Sequence, residues 1–469
     1  MQKIFYAFDQ GMYNPFKMQN AQIFINPAQK EEKVLFKEDK PWELRFDNSY
    51  PNFIYDEELK LYRAYYHTFT QDPCSFNSPL NERKSKSYEP VNRIVSLCYA
   101  QSKDGLSWDK PNLGLVDFKG SKDNNILGEF YHGSCVLLDK QEIDPSKRYK
   151  LITKIDYGNN NHYFAVSFSK DGLSWSPLLK LQDFNPRGDT HNYAFFHEES
   201  KQYILITREW RDSKRVVMLA KSFDFINWSK PIEIMSGRGF SNQIYSMPIF
   251  RVNDYLIGLA SMFHEGDIDN TNHDQVDLEL CYAINTTNWN FLAENEYFIK
   301  RGEGSYQNTD KAPDCGCIYS SAPIIKDDEL IFYYLGSNGL HTGFREGSFL
   351  RAFANKNQLA YISSKDKSKN AVIYTNKFNL LKNEIYIDAI RENEYAFIQV
   401  NLISTDNKDL GEIELTQTKS GLKLNLNYLN IEDKSPKSFK ITLRWVKIFS
   451  IKGSLDLHRI ENEAHLFRA

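Results

Sequence analysis

Four times the chain writes one short phrase ending in tryptophan: Ser102-Lys103-Asp104-Gly105-Leu106-Ser107-Trp108, Ser169-Lys170-Asp171-Gly172-Leu173-Ser174-Trp175, Ser222-Phe223-Asp224-Phe225-Ile226-Asn227-Trp228 and a decayed copy, Ala283-Ile284-Asn285-Thr286-Thr287-Asn288-Trp289. The copies recur roughly every 50 to 70 residues, and a period of that length filled with short strands predicts a β-propeller with one blade per repeat. Asp104 and Asp171 stand directly before glycine. A carboxylate there accepts from backbone amides further along while glycine supplies a positive φ, so each phrase reads as a tight turn between strands. The tryptophan is then expected to pack between neighbouring blades. Turn chemistry accounts for the phrase without any substrate, so function has to be sought elsewhere in the chain.

The 28 tyrosines and 32 phenylalanines among 469 residues favour pleated, half-buried strands over helices. A chain of this length is expected to hold more than one domain. Its formal net charge of −3 offers no basic stripe, which argues against a nucleic-acid partner. No apolar run of about twenty residues is present, so no spanning helix and no membrane partner is expected. Met1 to Asp9 lacks the apolar stretch and small-residue site of a signal peptide, and cytoplasmic residence is the expectation. Cys74, Cys98, Cys135, Cys281, Cys315 and Cys317 lack metal-ligand spacing, so reduced thiols are expected and neither a metal nor a cofactor is.

Five strand pairs can be read along the chain. Residues 51–56 lead into 61–66, 133–138 into 149–153, 192–196 into 202–207, 245–250 into 255–260, and 319–325 into 330–334. The fifth pair lacks the tryptophan phrase. From about residue 355 the texture changes to period-two alternation with short polar turns, at 383–388, 396–401, 421–427 and 439–445, the pattern of a β-sandwich. The predicted architecture is therefore all-β: a lead-in over 1–45, a five-bladed propeller over 46–355 and a β-sandwich over 356–469, with the joint in 356–368. Residues 75–90, rich in Ser, Asn, Pro and Lys, read as a mobile insertion within the first blade.

The run Arg93 to Val116, followed by Gly120 to Asn125, resembles the second half of the first blade in bacterial proteins related to glycoside hydrolase family 32, within the five-bladed superfamily of invertases, levansucrases and arabinanases. Residues 441–445 and 455–467 resemble the close of the β-sandwich that accompanies those propellers. The sialidase repeat motif is the main confuser. It places one further residue between its aspartate and glycine, whereas here the two are adjacent.

Glycosyl transfer needs paired carboxylates, one to donate a proton and one to act as nucleophile or base, often with a third that steadies the sugar. The resemblance implies that Asp189, in Arg187-Gly188-Asp189-Thr190-His191-Asn192, matches an Arg-Asp-Pro element whose aspartate stabilises the transition state, with Gly188 inserted and Thr190 in place of proline. The Asn-Asp-Pro-Asn element of the family nucleophile falls on Ser49-Tyr50-Pro51-Asn52, so Tyr50 occupies the aspartate's place, and Asp47 or Glu43 would have to restore a carboxylate. The Glu-Cys pair of the family acid has no counterpart in residues 241–247. Glu209, the pair His264-Glu265 and Asp314 are the substitutes, with Asp314 favoured because it precedes an inner strand as Asp189 does.

His132, His191, His264 and His341 fall beside the inner strands or the loops beyond them and could bind sugar hydroxyls or shuttle protons. Arg187, Arg208, Arg238 and Arg345 could offer forked donors to a phosphate. The leading expectation is a glycoside hydrolase or transglycosidase acting on a sugar, with furanosides among the candidates, with Asp189 as stabiliser, Asp47 as nucleophile or base and Asp314 or Glu209 as acid. Glu43, His132, His191, Arg208 and His264 are expected to bind substrate. Two other readings stay open: a phosphate-dependent glycoside phosphorylase, which would explain the missing first-blade aspartate, and a non-catalytic carbohydrate-binding propeller.

Overall fold

The computed structural model describes residues 2–46, 48–266, 268–306, 313–426 and 435–458. Apart from short helical turns such as Pro73–Phe76, the described chain is β-structure arranged in several sheets. It divides into two compact units. One comprises residues 1–27, 292–296 and 355–469, and the other residues 28–291 and 297–354.

All five expected strand pairs are present in the larger unit, each antiparallel. Asn52–Asp56 pairs with Leu61–Gln71, Tyr131–Leu138 with Tyr149–Asp156, and Tyr193–His197 with Gln202–Arg211. The first three pairs each extend into a four-stranded antiparallel sheet. In the fourth and fifth, the leading strand is interrupted, giving Gln243–Ser246 then Ile249–Val252, and Cys317–Ser320 then Ile324–Lys326. Pro248 and Pro323 stand at the two breaks, where a residue without an amide proton cannot continue the ladder. A single parallel pairing, Val276 with Cys317, joins the fourth and fifth sets.

The repeated phrase is the corner that seats one sheet against the next. Asp104 Oδ1 accepts from the amides of Leu106 (2.7 Å) and Ser107 (2.8 Å), and Asp171 Oδ1 from Leu173 and Ser174 (both 2.8 Å). Asp224 and the decayed Asn285 bind the matching amide pairs. The residue after the acid is left-handed in the first three copies, at φ 73° for Gly105, 72° for Gly172 and 67° for Phe225. The strain at Phe225 is offset by complete burial of its ring beside Tyr203 and Trp228.

Each tryptophan meets a core shared by two sheets. Trp175 lies against residues of the first and second, Trp228 the second and third, and Trp289 the third and fourth. Trp108 lies against residues of the first and fifth. In the third and fourth copies the indole N–H donates back to the corner, to Phe225 O and Thr286 O (both 3.1 Å). In the first and second copies a tyrosine of the neighbouring sheet takes that carbonyl instead: Tyr333 Oη donates to Gly105 O (3.1 Å) and Tyr65 Oη to Gly172 O (3.2 Å). One acceptor thus serves either to close its own corner or to latch the adjacent sheet.

The insertion over residues 75–90 is folded around Arg83, whose guanidinium donates to Ser75 O and Ser78 O and pairs with Glu346. In the smaller unit, a seven-stranded sheet and a four-stranded sheet share one apolar core. Strict alternation along Ser438–Arg444 turns Phe439, Ile441 and Leu443 inward, as the period-two pattern requires. The strand Ala360–Ser364, inside the expected joint, pairs along its whole length with Ala21–Ile25. Residues 1–27 therefore group with the C-terminal strands, and 28–45 with the sheets that follow them.

Because Asn285 makes the same two amide bonds as the aspartates, Asp171→Asn is expected to retain stability at neutral pH. Asp171→Ala, which leaves both amides without the side-chain acceptor, is expected to cost about 1 kcal/mol, the scale of losing a capping side chain. Urea unfolding of the two variants beside the wild type checks this.

Candidate functional site

A cavity of about 810 Å³ opens in the larger unit, lined chiefly by the first and second sheets and the segment entering the third. Its floor is set by one close backbone approach. Gly133 has φ 58°, and a Cβ there would lie 1.8 Å from Thr190 O, so only glycine lets the second sheet meet the segment 187–192. Asn192 ties the contact: its backbone N–H donates to Gly133 O (2.8 Å), and its Nδ2 donates to Gly133 O (3.1 Å) and Gly188 O (3.0 Å). Thr207 Oγ1 holds the other end of that amide at 2.7 Å.

Gly188, the residue inserted relative to the resembled element, has φ 52°, and a Cβ there would approach Phe164 Cζ to 2.3 Å. Packing and backbone conformation thus favour glycine at the inserted position. Beside Gly133, the pairing of the second sheet shifts register between Ile152 and Lys154, a bulge that leaves Lys154 opposite His132 at the cavity wall.

These constraints bring Asp189, His132 and Arg208 together. Asp189 Oδ2 accepts from Arg208 Nη2 at 2.7 Å, and its Oδ1 lies 3.3 Å from His132 Nε2. Half of the Asp189 side chain is open to the cavity, yet it sits among densely packed neighbours. Burial would raise its carboxyl, but the charges of Arg208, His132 and Lys154 outweigh that and hold it far below the usual carboxylate range. Asp189 is therefore ionised at any physiological pH. Arg208 is nearly inaccessible at 2% and lies over the rings of Tyr245 (4.8 Å) and Trp210 (5.8 Å). Among the described residues, Asp189 is its carboxylate partner.

Tyr50 stands beside this group. Ser49 (φ 54°) and Tyr50 (φ 41°) are consecutive left-handed residues without glycine, a costly conformation that projects the ring against His132 (centroids 5.5 Å apart) and His67 (5.9 Å). Asn48 Nδ2 donates to both Tyr50 Oη (3.0 Å) and Tyr245 Oη (2.9 Å), while its Oδ1 accepts from buried Arg345 (2.8 Å). His67 and His191 lie behind, both 2% exposed. Burial pushes each imidazole down to about 3, so both are neutral. The amide of Ser134 donates to His67 Nε2, leaving Nδ1 to donate to Ser49 O. At the cavity wall, Trp210 and Tyr157 present rings that are 41% and 51% exposed.

No family model matches the chain, and no curated protein matches it. Solved structures that it is similar to include an N-acetylgalactosamine deacetylase from F. plautii in complex with blood group B trisaccharide, at 14% identity over 71% of this chain and 95% of that one, TM-score 0.46. A putative glycosidase from Bacteroides thetaiotaomicron is 15% identical over 70% of this chain and 96% of that one, TM-score 0.44. A fructofuranosidase from Schwanniomyces occidentalis complexed with fructosylnystose is 12% identical over 92% and 98%, TM-score 0.41. Likenesses this distant leave the chemistry to be argued from the residues.

The other expected site residues are placed as follows. Asp47 lies outside the described residues. Glu43 is buried, accepting from Tyr66 Oη and Lys110 Nζ (both 2.7 Å), and burial raises its carboxyl. Glu209 accepts the Arg187 amide at 2.7 Å and so supports the Asp189 segment from behind. Asp314 is bound by Lys30 Nζ (2.7 Å), Tyr334 Oη and the Gly302 amide, and is not part of the cavity lining. His264 is held between Asn242 and Asp277, also away from the lining. His191 bonds Asn52 Oδ1 at 3.3 Å. Sequence reasoning did not reach Asn48, Tyr245, Lys154, Asp156 or Trp210. Only the bulge and the meeting of distant strands bring them to one place.

Two outcomes follow from this geometry. Asp189→Asn leaves the buried Arg208 guanidinium without its carboxylate and is expected to cost about 2 kcal/mol, below the range for a fully buried pair because the aspartate is half open. The double variant with Arg208→Gln should regain part of that loss, as a double-mutant cycle by urea unfolding would read. His67 and His191, held neutral to about 3 in the folded state against 6.5 when free, favour folding fully above pH 6.5. Their contribution is lost as pH falls toward 3, each by up to about 1.4 kcal/mol per pH unit. Melting curves between pH 7.5 and 5 should show a shallower decline in His67→Gln and His191→Gln.

Proposed function

We propose that the chain is a carbohydrate-acting enzyme of glycosyl transfer, a glycoside hydrolase or transglycosidase, whose site is the cavity around Asp189. The observation that carries the reading is a carboxylate kept ionised by Arg208 and His132 while half of it faces an open cavity lined by two exposed aromatic rings. Such a group can accept from sugar hydroxyls and stabilise positive charge at the anomeric carbon as the leaving group departs. Exposed Trp210 and Tyr157 suit the apolar faces of sugar rings.

His132, in contact with Asp189, is the proposed group for holding and passing a proton. Asp156 is unsuited to donate one, because Lys154 pairs with it at 2.8 Å and its carboxyl is held below the usual range. Asp47 keeps the proposed role of nucleophile or base, on its sequence position alone. In the same reading the five strand sets form a closed five-bladed propeller followed by a β-sandwich. The contacts of Phe53 and Gly105 with Tyr333, between the first and fifth sets, support closure.

Turnover on a panel of aryl furanosides and pyranosides tests this. Asp189→Asn, assayed well below its melting temperature, should lose about a hundredfold or more in kcat, the scale of one electrostatic stabiliser. Full activity in the variant would remove Asp189 from the site. Saccharide binding by the wild type without turnover on the panel would leave a binding protein.

A further inference from the structure

Resting on the carbohydrate reading of this cavity, we infer that its ligand carries an oxyanion, a carboxylate, sulfate or phosphate, received by Arg187 and Lys154 at the end where the second sheet meets the segment entering the third. Among the described lining residues, Arg45, Arg93, Lys154 and Arg187 carry fixed positive charge, against Asp156 and Asp189. Arg208 and Arg345 lie directly beneath and bond cavity residues. A neutral sugar needs no such field.

The two walls differ. Arg45 stacks on Tyr88 at 3.7 Å and donates to Gly343 O, and Arg93 stacks on Phe69 at 4.5 Å and donates to Tyr88 Oη, so these guanidinium groups are engaged with the wall itself. Arg187 is different. Its backbone is anchored through Glu209, while its guanidinium meets only Asn160 Oδ1, at 3.4 Å, and has no carboxylate within ion-pair distance among the described residues. Lys154 is 6% exposed, set at the wall by the bulge, with the single carboxylate of Asp156, which also caps the turn at Gly158.

The effect of both cations registers on His162, which lines the same end. Its imidazole is pushed below the usual value by burial first, then by the charge of Lys154, with Arg187 adding to it against the opposing charge of Asp156. Asp189 is paired with Arg208 at 2.7 Å and so opposes an anion placed here less than an unpaired carboxylate would. A planar fork beside a buried ammonium matches the geometry of an oxyanion.

His162 is therefore the reporter. Its imidazole resonance, titrated by NMR in the full-length protein, should move to higher pKa when an oxyanion binds and stay in place with a neutral sugar. The probes are galactose oligosaccharides against galacturonate oligosaccharides of equal length, glucose against glucose 6-phosphate, and inorganic phosphate alone, with calorimetry for affinity. The acidic sugar of at least one pair should bind tenfold or more tightly than its neutral counterpart, and Arg187→Gln, a surface change, should erase that preference.

A shift and tight binding with inorganic phosphate alone, without preference for acidic sugars, would assign the oxyanion to free phosphate. Equal binding of neutral and acidic sugars, indifferent to Arg187→Gln and without any response to inorganic phosphate, would overturn the inference and leave the carbohydrate reading standing. A response to phosphate with no saccharide bound would sustain the oxyanion site and remove the carbohydrate reading. No response to any probe overturns the inference.

Discussion

One carbonyl at a turn latches the first and second sheets of the larger unit to a neighbour, and in the third and fourth copies the same carbonyl closes its own corner. An aspartate or asparagine gathers two amides, the turn exposes the carbonyl of the next residue, and either the phrase's own indole or a neighbouring tyrosine donates to it. Such a hydrogen bond contributes only about 1 kcal/mol net. Its larger effect is geometric, since a sheet fixed at one corner can move little against its neighbour without vacating a packed aromatic core. Phe225 shows how strongly the corner is imposed: a bulky residue takes a left-handed conformation that glycine adopts elsewhere, and the burial of its ring offsets the strain.

That rigidity allows strain and charge to be concentrated at the cavity. Consecutive left-handed residues at Ser49 and Tyr50, a glycine pressed onto a carbonyl at Gly133, and a bulge at Lys154 each cost free energy, and all three lie within one group of contacts. Electrostatics follow the same plan. Two imidazoles are buried and neutral behind Tyr50, whereas His132 is left beside an ionised carboxylate at the cavity surface. Environment alone separates the two histidines buried behind Tyr50 from the one that meets an ionised carboxylate.

The strand pairs were legible because burial on a pleated sheet enforces local patterning, and the tryptophan corners because a turn needs particular residues at fixed offsets. The breaks at Pro248 and Pro323 follow from a rule equally local. The site was legible only in part. Asp189, which lines the cavity, was singled out from its neighbours in sequence, and the lack of a side chain at the inserted Gly188 answers to Phe164, a residue 24 positions earlier that no local pattern connects to it. Asp314 shows the converse. Standing before the leading strand of a set, as Asp189 does, it is bound by Lys30, a partner 284 residues away.

Both aspartates precede the leading strand of a set and both meet a basic side chain, so what separates them is where the partner stands. Lys30, Tyr334 and the Gly302 amide together occupy the Asp314 carboxylate and leave its side chain 4% exposed. Arg208 approaches Asp189 from beneath, through one nitrogen, and leaves the upper face of the carboxylate open at 51%. A carboxylate met by three donors and closed to solvent is out of a ligand's reach, while one charged from behind and open in front remains an acceptor without becoming a base. The direction from which the cation approaches, more than the presence of an acid, therefore distinguishes a carboxylate closed by its partners from one left open to the cavity.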